Sequence, residues 1–279
     1  MNMIFKIAKT ELQTLFYSPV AWLILIVFTF QASILFTGTF GMSVRSQALE
    51  YEVGNLTLFT FGGDYGLFTH IQQYLYLYIP LLTMGLMSRE LSSGSIKLLY
   101  SSPVTNKEIV LGKYFAMLVY GLVLIGILAI YVLYSACTIK AFDFTVALSG
   151  LLGLYLLICA YASIGLFMSS LTSYQVVSAM GTLAILAALS LVRGMWQDIE
   201  FVRDITYWLS INGRADEFVN GLICSEDVLY FVIVVALFLF LSILRLQARR
   251  QKSTWMATTS KYIGVIVIAM LLGYFTSRP

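Results

Sequence analysis

Six stretches of this chain hold no Asp, Glu, Lys or Arg: Leu12 to Val44, Tyr65 to Ser88, Tyr114 to Ile139, Phe144 to Val192, Val228 to Leu244 and Tyr262 to Ser277. The hydrocarbon core of a bilayer takes about 20 apolar residues per helix. The run from Phe144 to Val192 has room for two crossings, and Leu171-Thr-Ser-Tyr-Gln175 supplies a short polar break inside it. The pattern therefore predicts seven spans, at 19–40, 67–87, 114–136, 147–168, 175–192, 227–244 and 262–276. The first run is too long for the apolar part of a cleavable signal and has no small-residue cleavage site behind it, so it is expected to stay as an anchor.

Composition agrees. Hydrophobic residues make up 59% of the 279 and charged residues 11%, against about 25% charged in a soluble domain. The charges also give an orientation, because basic flanks stay in the cytosol. With the N-terminus inside, the inner segments carry eleven Lys and Arg against three acids, and the outer segments six against eleven. The formal net charge of +3 thus reports topology and does not point to nucleic acid.

Around the spans, residues 1–18 alternate apolar positions with Lys6, Lys9 and Glu11, as a helix lying in the membrane interface does. An extended start of the first span is the other reading. Ser18 and Pro19 supply an N-cap and a first helical position for a turn into the bilayer. The outer segment 41–66 reads as a glycine-rich loop with a short helix near Ser46 to Leu58, and 193–226 as an outer pair of helical segments. Tyr74 and Tyr78 share a helix face while Tyr76 points away; interfacial anchoring and substrate lining both fit them.

The segment between the second and third spans is the most informative. A short helix is expected from Ser93 to Ser101, stopped before Pro103 because the residue preceding proline disfavours the helical conformation. Thr105 and Glu108 then form a capping box that starts the next helix. A separate helix held between two defined breaks suits docking of a cytosolic partner better than a plain turn.

These residues resemble a known family. Glu90, Gly94-Ser95, Leu98-Leu99, Pro103-Val104, Ile109-Val110 and Gly112-Lys113 are similar to the inner-loop signature of type-two ABC exporter permeases. Ile164 to Gln175 resembles the end of that family's fourth span. Asp216 to Gly221 and Arg249-Arg250 are similar to its gliding-motility branch, and the likeness covers residues 1 to about 252. It implies an all-α integral membrane protein with a six-helix permease core plus a seventh transmembrane helix, its N-terminus cytosolic. The implied organisation is an interfacial helix at 1–18, a six-span permease domain at 19–252 and an additional helix at 253–279. That last part looks like the anchor of the outer-domain partner of gliding permeases; a natural fusion and an ordinary extra helix remain open. A separate ABC ATPase, a second permease subunit, the lipid bilayer of the inner membrane and an outer-domain partner are the implied associates. Arg89, Glu90, Gly94, Ser95, Leu99, Lys107 and Glu108 are the residues expected to meet the ATPase.

Other chemistry is weakly represented. A phosphate-cradling loop would need Gly-Lys-Ser/Thr, but Gly112-Lys113 is followed by Tyr114 and Lys107 stands where the upstream Gly belongs. No ATPase activity and no cofactor are expected of this chain. His70 is the only histidine, and Cys137, Cys159 and Cys224 match no metal spacing; two unpaired outer thiols are expected over a Cys137–Cys224 disulfide. No ionisable residue is predicted inside a span, which disfavours an ion-coupled carrier. The rival readings are a non-transporting scaffold that transmits force to an outer domain, and a membrane-embedded enzyme, for which no nucleophile, base and metal ligands converge.

Overall fold

The computed structural model describes residues 3–48, 55–101, 103–139, 141–191, 211–251, 262–265 and 267. Among them are eleven α-helices and no strand: α1 (Met3–Tyr17), α2 (Pro19–Ala48), α3 (Leu56–Phe61), α4 (Leu67–Thr83), α5 (Gly85–Ser93), α6 (Ile96–Ser101), α7 (Asn106–Thr138), α8 (Phe144–Leu171), α9 (Gln175–Leu191), α10 (Ile211–Val219) and α11 (Ser225–Gln251). A helical turn follows at 262–265. The rest of the expected seventh span and residues 192–210 lie outside the described residues.

Among the described residues, four helices are long and apolar enough to cross a membrane: Pro19–Arg45, Asn106–Thr138, Phe144–Leu171 and Ser225–Arg250. Their surfaces say the same as their length. Between Pro19 and Ile34 every exposed position of α2 is apolar, including Trp22, Leu23, Ile26 and Phe30. A helix packed on one side and facing water on the other would be polar there.

The core centres on α8, which touches α4, α5, α7, α9, α10 and α11. Small side chains allow this, since packing in lipid rewards close backbone approach; Ala147, Ser149, Gly150, Ala160, Ala162 and Ser163 are all buried. The small residues of α9 follow in part. Ser178, Ala179 and Thr182 are buried inside this protomer, whereas Ala184 and Ala188 are exposed.

Several local expectations are corrected. The first predicted span, α2, runs on to Ala48, and the short helix after it starts at Leu56, because the Asn55 side chain accepts from Thr57 N and Leu58 N. The second predicted span is divided at Met84 into α4 and α5, with Pro80 inside α4. The helix expected from Ser93 begins instead at Ile96. Gly94, at φ 73°, closes α5 in the left-handed conformation that glycine adopts without a Cβ penalty. Tyr78 parts from its neighbours: it is buried and donates to Gln31 Oε1, while Tyr74 and Tyr76 are exposed.

Candidate functional site

The two ends of the bundle differ in charge, and the basic end carries the family-like segment. There α1 ends at Tyr17 and the chain turns into α2 at Pro19, a turn fixed by Trp22 Nε1 donating to Phe16 O at 2.7 Å. α1 folds back against the start of α7 so closely that a Cβ on Gly112 would lie 2.7 Å from the Ile7 side chain. This approach brings Glu11 over Lys113.

Lys113 is 1% exposed. Its ammonium donates to Glu11 Oε1 of α1 and, at 2.7 Å, to Glu90 Oε1 of α5. Arg89 lies 3.7 Å from the Glu11 carboxylate and its Nε donates to Gly85 O at 2.9 Å. Two cations and two carboxylates thus balance at the junction of α1, α5 and α7. A buried charge whose partners are removed costs about 3–5 kcal/mol, so this node sets the relative positions of the three helices. Lys113 in Asn106–Thr138 and Asp227 in Ser225–Arg250 are both buried near the ends of membrane-length helices, which corrects the expectation that no ionisable residue lies inside a span.

Beyond Gly94 the chain makes a tight turn, in which Ser93 Oγ and Ser95 Oγ are 2.9 Å apart and Ser95 O accepts from Leu98 N. α6 buries Ile96 and rests Leu99 on the core, leaving Lys97 and Leu98 exposed. The Thr105–Glu108 capping box is present, with Glu108 N donating to Thr105 Oγ1 at 3.3 Å and Thr105 N to Glu108 Oε2 at 2.8 Å. Arg250, near the end of α11, donates to Tyr100 O at 3.1 Å and Val104 O at 3.4 Å and lies over the Tyr100 ring. Burial holds the Tyr100 hydroxyl above its ordinary pKa. Arg249 donates to Leu171 O at the end of α8. A cleft of about 450 Å³ opens between Thr105, Asn106 and Lys107 on one side and Ile243, Gln247 and Arg250 on the other.

The residues expected to act together therefore divide. Arg89 and Glu90 turn inward to the charge node. Gly94 and Ser95 build the turn before α6, Leu99 anchors α6, and Lys107 and Glu108 stand at the start of α7 beside the cleft. Glu11, Lys113, Tyr100 and Arg250 were missed as site residues. Lys113 and Arg250 carried a signal, since both stand in the family-like motifs Gly112-Lys113 and Arg249-Arg250.

At the acidic end α10 packs against α4 and α8. Gln72 Nε2 donates to Asn212 O at 3.1 Å and to Asp216 Oδ1 at 2.8 Å, and Tyr161 donates to Asn212 Oδ1 at 2.8 Å. Arg214 and Asp227, both buried, pair at 2.6 Å. Glu217, Cys224 and Asp227 bring one ligand-type atom each within 4.8 Å of one another, but the Arg214 guanidinium already offsets Asp227. Asp143 caps α8, and its carboxyl is held below its ordinary pKa, first by the Thr145 backbone N–H. Cys137, Cys159 and Cys224 are free thiols.

An all-helical bundle with four membrane-length helices and apolar outward faces is a multi-pass membrane protein. A sequence model described as ABC-2 family transporter protein matches residues 5–203, so the chain belongs to the ABC-2 transporter family and is a membrane permease of that kind. No curated protein matches it.

Proposed function

We propose that this chain is the permease subunit of an ATP-driven exporter whose ATPase is a separate polypeptide docking on α5, α6 and the start of α7. The observation that carries the reading is the Lys113 node, which ties α5 and α1 rigidly to the long helix α7. A push on α6 is passed through Gly94 to α5, and from Glu90 through Lys113 to α1 and α7. Arg250 holds the far end of α6 against α11. Arg89, Glu90, Gly94, Ser95, Leu99, Lys107 and Glu108 act here in two ways: the first two transmit, and the others shape and present the docking helix.

In this reading the basic end faces the cytosol, the N-terminus is inside, and the protein sits in the inner membrane with six spans in its core. Two permeases pair with two ATPases, and the chain itself hydrolyses no ATP. The basic residues Arg249 and Arg250 and the helical turn at 262–265 support the gliding-motility branch and a following outer-domain anchor.

Leu98 gives the test. It is 73% exposed on α6 and outside the charge node, so Leu98→Glu should leave insertion and thermal stability near the parent. Co-purification with the ATPase encoded beside this chain, and the stimulation of that ATPase, should fall at least ten-fold, about the effect of losing one buried anchor at an interface. Unchanged association would remove the docking role from α6.

A further inference from the structure

The segment Ile164 to Gln175, family-like but without an assigned task, meets the second span at the place where that span breaks. In an unbroken helix Met87 N would donate to Thr83 O and Ser88 N to Met84 O. Here both donate instead to Ser169 Oγ of α8, at 2.9 and 3.0 Å, and Ser169 Oγ in turn donates to Met84 O at 3.0 Å. One fully buried hydroxyl therefore stands inside the hydrogen-bond ladder of another helix. Side-chain insertion of this kind is a recognised cause of helix kinks.

The surroundings favour the break. Pro80 brings no N–H to the ladder, and Thr83 Oγ1 bonds back to Ile79 O at 2.9 Å, an interaction that bends helices. Gly165 makes room for the joint, since a Cβ there would lie 2.0 Å from Thr83 Oγ1. Met84 nevertheless keeps right-handed helical angles, φ −54° and ψ −34°, so little backbone rearrangement separates the broken from the continuous helix.

We propose that the joint at Met84 is a hinge and that Ser169 is its latch, a positioning residue that holds α5 at one angle to α4. With the latch made, α5 and the Glu90 arm of the charge node stand where α8 puts them. With it released, Met87 and Ser88 return to their own ladder and α5 swings relative to α4. The purpose of that swing rests on α5 and α6 being a docking element, but the latch itself is a property of the isolated chain.

The test is accordingly made on the full chain in lipid nanodiscs without an ATPase, so that failure of the latch and failure of the docking reading are distinguishable. Amide exchange is followed by mass spectrometry for the parent, Ser169→Ala and Ser169→Cys. A spin-label distance is read between Leu77→Cys and Leu98→Cys, with the exposed Cys137 and Cys224 changed to serine. Ser169→Ala should add a second distance population and speed exchange over residues 84–93 roughly ten-fold, as the amides of Met87 and Ser88 open while passing between the two arrangements with one net hydrogen bond fewer to hold either, while 116–130 is unchanged. Ser169→Cys, a weaker acceptor of similar size, should fall between the two, and it decides the matter by the same criteria if the alanine variant does not insert. A parent-like distance distribution, or acceleration spread evenly over all spans, would overturn the latch.

Discussion

Both ends of the bundle bury a basic residue against a carboxylate, yet the two arrangements join different things. At the acidic end Arg214 and Asp227 are 13 residues apart and close the short connection between α10 and α11. At the basic end Lys113 reaches Glu11 across 102 residues and Glu90 across 23, joining three helices from separate parts of the chain. The first pair fixes a local corner. The second fixes the angles between α1, α5 and α7, so a displacement of any one of them loads the others. A buried ion pair is a poor source of net stability, but removing one of its partners is strongly destabilising.

Breaking the basic node is expected to have the largest effect. Lys113→Ala leaves the largely buried Glu11 and Glu90 carboxylates with only Arg89 beside them, which should lower stability by about 3–5 kcal/mol, read as a fall in melting temperature of the detergent-solubilised protein. Replacing Lys113, Glu11 and Glu90 together by apolar residues of similar size should restore most of that loss while leaving ATPase stimulation impaired. Full recovery of both would reduce the node to packing. Arg214→Ala strands Asp227, fully buried with Glu217 beside it, and should cost a similar amount, about 3–5 kcal/mol. Its amide-exchange signature should be confined to 211–230; acceleration reaching α1 would erase the distinction between the two ends.

The smallest expected effect is at Asp143. Its folded-state pKa lies below the ordinary carboxylate value of about 3.9. The cap therefore contributes fully above that value and is lost as pH falls through the lower, folded one. Asp143→Asn, which keeps a capping oxygen, should remove this acid-dependent component of stability and change nothing near neutrality. Acid melting curves that superimpose with the parent's would show that the cap carries no pH dependence.

Much of the fold was legible because charge-free runs and polar breaks are local signals. The α8–α9 division at Leu171 to Gln175, the start of α2 at Pro19 and the Thr105–Glu108 cap all follow from neighbouring residues. The α4–α5 break was not legible. Pro80 is visible, but the hydroxyl that completes the joint comes from Ser169, 85 residues from Met84. The candidate site was half legible for the same reason. Gly94 and Ser95 were expected inside the short helix and instead form the turn before it; nothing beside Glu90 says that its partner is Lys113, and Glu11 gained meaning only once α1 folded back over α7.

The central position of α8 has a consequence for how the protein is made. Of the four membrane-length helices it has the lowest mean hydropathy, 2.1, and the largest buried share, 72%. During synthesis it leaves the ribosome after α4 and α7 but before α9, α10 and α11, in the N-to-C order in which chains become available to fold. For that interval the most buried of the four has only half of its final neighbours. Ser149, Ser163 and Ser170 bond back to carbonyls of α8 itself, and the one outward bond, of Ser169 with Met84, Met87 and Ser88, is made to a segment that the nascent chain already contains.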